Sequence, residues 1–150
     1  MRVVLDTNVL IDALSDDFSA QAKLLNAARD GSITALATPA LEREYRKIVH
    51  RLVTNEAGRD RIRDFIDHTE QVAEERVEVV LDDLEDLKFL RAAAGGEADF
   101  VVTNDHHLLD IGEFAGIRIV RPMEMVTIWQ EETGSSDEWA QWATGLGIGS

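Results

Sequence analysis

The segment Phe100-Val101-Val102-Thr103-Asn104-Asp105 decides the fold class, because a short apolar run rich in β-branched residues ends there in an acid. Such a run predicts a buried strand of a parallel sheet. The chain begins with the same pattern, since Arg2-Val3-Val4-Leu5 is followed directly by Asp6. A third apolar run, Ile117-Arg118-Ile119-Val120, predicts another strand near the end of the chain.

Helical patterns separate these strands. Ser19 to Gly31 has a capping serine, leucines inside and a glycine after its end, which together predict a helix. Further helices are predicted to begin at Pro39, Asn55, Glu85 and Pro122, the last running through Trp129. Additional strands are predicted over Thr34 to Thr38 and Arg76 to Leu81. Strands that alternate with helices predict an α/β fold, a three-layer α/β/α arrangement around a central parallel sheet of about four to five strands.

The length of 150 residues fits one domain with one core. No cysteine is present, which excludes disulfides, thiolate zinc sites and cysteine nucleophiles. The first residues reach Asp6 too early for a signal peptide, and no apolar run approaches the roughly 20 residues of a membrane helix. We therefore expect a cytoplasmic protein without a membrane segment.

The composition changes close to the C-terminus. Gly134-Ser135-Ser136 is typical of a linker, and the last residues are rich in glycine. We expect one domain over residues 1–132 and a tail over 133–150. Trp139 and Trp142 are the reason to expect that part of the tail docks, and the alternative is a flexible tail.

The net charge of −14 argues against a nucleic-acid partner, because such a field repels phosphates at long range. The positive charge is nevertheless concentrated between Arg43 and Arg63, a stretch with few acids. The first part of it supplies candidate RNA contacts, Arg43, Arg46, Lys47 and Arg51. Solvated helix faces are an equally good explanation of the same stretch.

Acids follow the predicted strands. Asp6 comes directly after the first strand, Asp105 follows the strand that begins at Phe100, and Asp86 follows the predicted strand Arg76 to Leu81. Ligands of an open parallel sheet bind beyond the carboxyl ends of its strands. The competing explanation is that each acid caps a helix, since Asp is a preferred N-cap residue.

The helical positions of two acids favour a site over caps. Asp86 shares a face with the apolar residues of its helix, and Glu44 borders an apolar stripe on its own helix. Burial of a lone carboxylate is costly, and no Lys or Arg is expected beside either acid. Converging acids would repel one another, so we predict a hard divalent cation, Mg²⁺ or Mn²⁺. The adjacent His106 and His107 are expected to diverge as surface residues.

Four segments resemble the PIN-domain family in order along the chain. Leu5-Asp6-Thr7-Asn8-Val9-Leu10 is similar to the opening of these domains, and the segment Thr38 to Tyr45 is similar to the one that carries their helical Glu. Residues Asp83 to Leu90 and Ala98 to Leu109 are similar to the third and fourth acid segments. The resemblance runs from Met1 to about Trp129 and is to the VapC-like branch, the ribonuclease toxins of bacterial toxin–antitoxin pairs.

The resemblance implies an endoribonuclease that cuts single-stranded RNA with Mg²⁺ or Mn²⁺, an antitoxin partner and a homodimer. It assigns the catalytic and metal-binding acids to Asp6, Glu44, Asp86 and Asp105, and supporting polar roles to Asn8 and Thr103. Leu87 and Asn104 depart from the residues that are common at their positions in the family, and neither position is a metal ligand.

Two other functions stay open. An acidic-pocket, Mg²⁺-dependent phosphatase would use Asp6 as a nucleophile, but dehalogenase-like enzymes need a second acid where Asn8 stands. The third possibility is a non-catalytic interaction module that kept the PIN fold.

Overall fold

The computed structural model describes residues 1–81 and 83–134. Its strands are β1 (Arg2–Leu5), β2 (Thr34–Ala37), β3 (Glu70–Gln71), β4 (Phe100–Val102), β5 (Glu113–Phe114) and β6 (Ile117–Val120). Its α-helices are α1 (Thr7–Ala13), α2 (Ala20–Asp30), α3 (Pro39–Leu52), α4 (Glu56–Asp67), α5 (Leu87–Gly95), α6 (His106–Leu109) and α7 (Pro122–Thr133). A 3₁₀ turn, Leu84–Asp86, leads into α5.

The six strands of the described residues form one sheet in the order β3-β2-β1-β4-β6-β5. All neighbours are parallel except β5 and β6, which are antiparallel. The α/β fold with a mostly parallel central sheet flanked by helices is therefore confirmed. The sheet has more strands than the expected four to five, because the two-residue edge strands β3 and β5 were not predicted.

The central strands β1 and β4 form the middle of the core. Val3, Val4 and Leu5 are fully buried, as are Val101 and Val102. A strand that lies between two parallel neighbours and under helices is covered on both faces, so an uninterrupted apolar run is what its environment requires. Because β1 and β4 are held in the core, the residues directly after their carboxyl ends also have fixed positions.

The prediction of a strand over Arg76 to Leu81 is wrong. The sheet takes only Glu70 and Gln71 from this region, after which the chain leaves the sheet and crosses α5, where the Glu75 N–H donates to the Arg91 carbonyl at 3.1 Å. This crossing needs glycine at position 95, since a Cβ there would lie 1.8 Å from the Ala73 carbonyl oxygen. The alternation itself is real: Val77, Val79 and Leu81 pack against the core, while the residues between them are exposed. Their burial alternates although the segment lies outside the sheet.

Helix starts follow the predicted caps. The side chains of Ser19, Thr38 and Asn55 each accept a backbone N–H in the first turn of the helix that they precede. Two short helices, α1 and α6, were not predicted. No helix among the described residues is long and apolar enough to cross a bilayer. Trp139 and Trp142 lie outside the described residues.

Candidate active site

Three acids meet at the carboxyl edge of the sheet. Asp6 follows β1, and Asp105 comes three residues after the end of the neighbouring strand β4, with Leu5 opposite Val102 in the register. Asp86 belongs to the 3₁₀ turn in front of α5, whose far end leads back to the start of β4. The first turn of α5 therefore lies at the same edge, although no strand ends immediately before Asp86, in contrast to the expectation.

A threonine links two of these acids. The Thr103 hydroxyl, which is fully buried, donates to Asp6 Oδ2 at 2.6 Å and accepts the backbone N–H of Asp105 at 2.9 Å. The other carboxylate oxygen of Asp6 accepts the backbone N–H of Asn8 at 3.2 Å and caps α1. Both carboxylate oxygens of Asp6 thus accept a hydrogen bond. The same side chain can cap α1 and still belong to the candidate active site.

Glu44 reaches the same region from α3. Its Oε2 accepts the Thr7 hydroxyl at 3.1 Å, and Lys88 Nζ lies 3.4 Å from its Oε1. The expectation that no basic residue accompanies the acids is therefore wrong for Glu44. Lys88 also pairs with Glu85 in the 3₁₀ turn that leads into α5. Sequence analysis missed this contact, because Lys88 and Glu44 meet only through the packing of α5 beside α3.

Tyr45 is a second residue that sequence analysis missed as part of the site. Its fully buried hydroxyl donates to the carbonyl of Leu5, the residue before Asp6, and its ring packs edge-on against Phe65 with centroids 5.8 Å apart. Burial and the charges of Asp6 and Glu44 raise the pKa of Tyr45 well above its ordinary value, so it remains a donor. Tyr45 therefore holds the last peptide of β1, the one that leads into the acid.

The carboxylates perturb one another. Burial raises the pKa of Asp6 from its ordinary value, and the charges of Asp105 and Glu44 add to the effect. Burial likewise raises the pKa of Asp86 to about 6, with contributions from Asp105, Asp83 and Asp6. The mutual influence shows that Asp6, Asp86 and Asp105 share one electrostatic environment.

Asp86 differs from its neighbours in having no evident structural role. Asp6 and Asp105 cap α1 and α6, whereas the Asp86 side chain, 8% exposed, forms no cap hydrogen bond at the start of α5. Among the described residues it forms no ion pair with a basic side chain either. A buried carboxylate without such a partner destabilises the fold unless a cation binds beside it. The oxygen-only donors of the acids fit a hard divalent cation.

The carboxylates of the four acids are not tightly clustered. Within residues 1–81 and 83–134, the donor atoms of three potential metal ligands, Asp105, His106 and His107, lie within 4.8 Å of one another. No three of the four acids are that close together. A wide set of carboxylates suits Mg²⁺, which keeps several of its waters when proteins bind it. The expectation that the side chains of His106 and His107 diverge is wrong, since their ring centroids are 4.2 Å apart.

Three of the four predicted acids line one cavity, Asp105 is not among its lining residues, and a basic groove adjoins it. Asp6, Glu44, Asp86 and Asn8 line the cavity, which extends to Arg51. The adjoining groove is lined by Arg51, Glu44, Glu85, Ile48, Ala40 and three further basic residues, Arg43, Lys47 and Lys88. We call this second region the α3 groove. It is contiguous with the acids because Glu44, Ile48, Arg51 and Glu85 line both.

Arg46, the fourth predicted RNA contact, is not among the residues that line the α3 groove. Arg46 pairs with Glu42 at 2.9 Å and lines a separate cavity between α3 and α4, together with His50, Arg59 and Arg63. Arg59 donates to the backbone carbonyls of Val53 and His50 at the end of α3. The basic stretch of the sequence is thus divided between two cavities, and only the α3 groove adjoins the acids.

Comparisons with known proteins agree with the fold. The family model described as PIN domain matches residues 2–107. Among solved structures, the chain is similar to one in the crystal structure of VapBC2 from Rickettsia felis bound to a DNA fragment from their promoter, with 14% sequence identity and a TM-score of 0.56. That match covers 81% of this chain and 98% of the other. No curated protein matches the sequence.

Proposed function

The chain belongs to the PIN-domain family, and from this premise we propose that it is a metal-dependent endoribonuclease that hydrolyses phosphodiester bonds of single-stranded RNA. The observation that carries the proposal is Asp86, a buried carboxylate with a raised pKa, no capping role and two further acids beside it. Perturbed, clustered titratable groups in a cavity are typical of functional sites.

The proposed ion is Mg²⁺ or Mn²⁺, held by Asp6, Asp86 and Asp105, with Glu44 at the side towards α3. When bound, it would activate a water molecule and neutralise the charge that develops on the phosphate. The chain's own polar groups prepare this site: Thr103 orients Asp6 and the peptide of Asp105, and Tyr45 fixes the peptide before Asp6. Asn8 contributes through its backbone N–H.

The α3 groove would hold the RNA backbone on either side of the bond that is cut. Arg43, Lys47, Arg51 and Lys88 supply positive charge next to an acidic centre, in a chain whose net charge is −14. Phosphate contacts of this kind position a strand without selecting its sequence. The extended groove supports a polymeric substrate over a small phosphomonoester, because a monoester would use only the acids.

We further propose that the protein acts as the toxin of a toxin–antitoxin pair. Support comes from the similarity of its fold to a chain of VapBC2 and from the resemblance of four sequence segments to VapC-like toxins. An antitoxin protein and a homodimer are parts of this proposal, and copurification with the product of a neighbouring gene and the mass of the purified protein in solution would test them.

The experiment that tests the activity compares substrates under identical conditions. The purified protein is incubated with Mn²⁺ and end-labelled single-stranded RNA, single-stranded DNA or a phosphomonoester. We expect internal scission of RNA, its loss with chelator, and its loss in Asp6→Asn with RNA binding retained. Release of phosphate from the monoester without RNA scission would favour the phosphatase, and binding without any hydrolysis would favour a non-catalytic module.

A further inference from the structure

We propose that Asp105, His106 and His107 form a second metal site, one for Zn²⁺, at the rim of the acidic centre, and that it shares Asp105 with that centre. We call these three residues the rim site. Their donor atoms, two imidazole nitrogens and a carboxylate oxygen, all lie within 4.8 Å of one another. Both histidines are exposed, so an ion from solution can reach them.

The backbone brings the donors together. Asp105 has an extended conformation and caps α6 by accepting the His107 N–H at 2.9 Å, so its carboxylate lies over the first turn, where the two histidines begin the helix. The imidazole rings lie with their centroids 4.2 Å apart and their planes inclined by 35°. Tetrahedral zinc, with bonds of about 2.0–2.1 Å, needs donors roughly 3.4 Å apart, so rotation of exposed side chains closes the set.

The donor chemistry separates the rim site from the acidic centre. Imidazole nitrogens favour zinc and other late transition metals, whereas carboxylates alone favour Mg²⁺ and Mn²⁺. Three protein ligands leave one zinc position for water. The two sites are therefore expected to bind different ions when both kinds are present.

Sharing of Asp105 couples the two sites. The Asp105 carboxylate interacts with Asp86 on one side and lies beside the histidines on the other. An ion bound at the rim site therefore competes for a ligand of the acidic centre, so zinc is expected to weaken Mn²⁺ binding. This coupling rests on the proposed function, but zinc binding at the rim site does not.

Isothermal calorimetry with Zn²⁺ alone tests the site on the full-length protein. Loss of a group that merely supports a metal ligand typically costs about 10–100-fold in affinity, so the double variant His106→Ala/His107→Ala should lose at least 100-fold. The control His50→Ala/His68→Ala removes the same number of histidines from α3 and the end of α4, and should bind Zn²⁺ as the wild type does.

Asp6→Asn identifies which site takes the zinc. We expect this variant to lose Mn²⁺ binding and to keep Zn²⁺ binding, because Asp6 is not part of the rim site. Equal zinc affinity in the wild type and in His106→Ala/His107→Ala, or loss of zinc binding in Asp6→Asn, would overturn the proposal. If the rim site binds zinc while RNA is never cut, the proposed function fails and the rim site stands.

Discussion

Replacement of Asp86 by asparagine should stabilise the metal-free protein at neutral pH. Asn has nearly the same shape as Asp and can donate to Asp105, but it carries no charge into this buried position. Burial and the neighbouring acids raise the pKa of Asp86 from 3.8 to about 6. At about 1.4 kcal/mol per pH unit, the ionised side chain then destabilises the fold by about 3 kcal/mol.

The effect depends on pH in a defined direction. The folded chain binds the Asp86 proton more tightly than the unfolded chain does, so between pH 6 and pH 3.8 the folded state holds more protons. Its stability therefore increases as the pH falls through this window. The advantage of Asp86→Asn should be about 3 kcal/mol at pH 7.5 and should shrink by about 1.4 kcal/mol at pH 5, where the wild type becomes largely protonated.

Urea unfolding of the wild type and Asp86→Asn at pH 7.5, 6.5, 5.5 and 5, in chelator, measures this difference. Asp12→Asn, which removes an exposed acid from α1, is the control for loss of one negative charge. The reasoning is refuted if Asp86→Asn is less stable than the wild type at pH 7.5, or if its advantage does not change with pH.

Three further predictions follow from the site. Mn²⁺ at a hundredfold excess over its dissociation constant should stabilise the wild type by about 2.7 kcal/mol, seen as a rise in the melting temperature that chelator reverses. Tyr45→Phe leaves the Leu5 carbonyl without its donor, which should cost about 1–3 kcal/mol of stability and, in calorimetry, also weaken Mn²⁺ binding. Arg43→Glu/Lys47→Glu, in the α3 groove, should weaken RNA binding and flatten its salt dependence, whereas Arg46→Glu/Arg63→Glu, with the same change in charge, should leave both nearly unchanged.

Each of these predictions has a contradicting outcome. An identical melting temperature in Mn²⁺ and in chelator would argue against the metal site. For Tyr45, the matched variant is Phe65→Leu, which disturbs the same aromatic pair without removing a hydrogen bond. This variant should lower stability without weakening Mn²⁺ binding. Equal loss of Mn²⁺ affinity in both variants would show that Tyr45 acts only through packing. Equal losses of RNA affinity in the two charge-reversal pairs would show that net charge, not the α3 groove, governs binding.

The sequence predicted what depends on local pattern. Apolar runs located β1, β4 and β6, and side-chain caps located the starts of α2, α3 and α4, because burial on both faces and N-terminal capping each leave a local signature. The positions of Asp6 and Asp105 beyond neighbouring strands follow from the same pattern, since parallel strands bring their carboxyl ends to one edge.

What the sequence did not predict depends on tertiary packing. The alternation between Arg76 and Leu81 reports burial on one side, which a segment outside the sheet satisfies as well as a strand does. Contact between Lys88 and Glu44 joins residues on two helices that are far apart in sequence. The placement of Arg43 and Arg46, one turn apart on α3, in different cavities could not be predicted without the neighbouring helices, because the second cavity exists only where α4 packs beside α3.

The most direct test of the account is the location of bound Mn²⁺ by anomalous scattering from crystals of the protein grown with Mn²⁺ and without zinc. We expect an anomalous peak in the cavity at the carboxyl edge of the sheet, in contact with at least two of Asp6, Asp86 and Asp105, and no such peak in crystals of Asp6→Asn. A peak only at His106 and His107, or no peak in the cavity at saturating Mn²⁺, would contradict it.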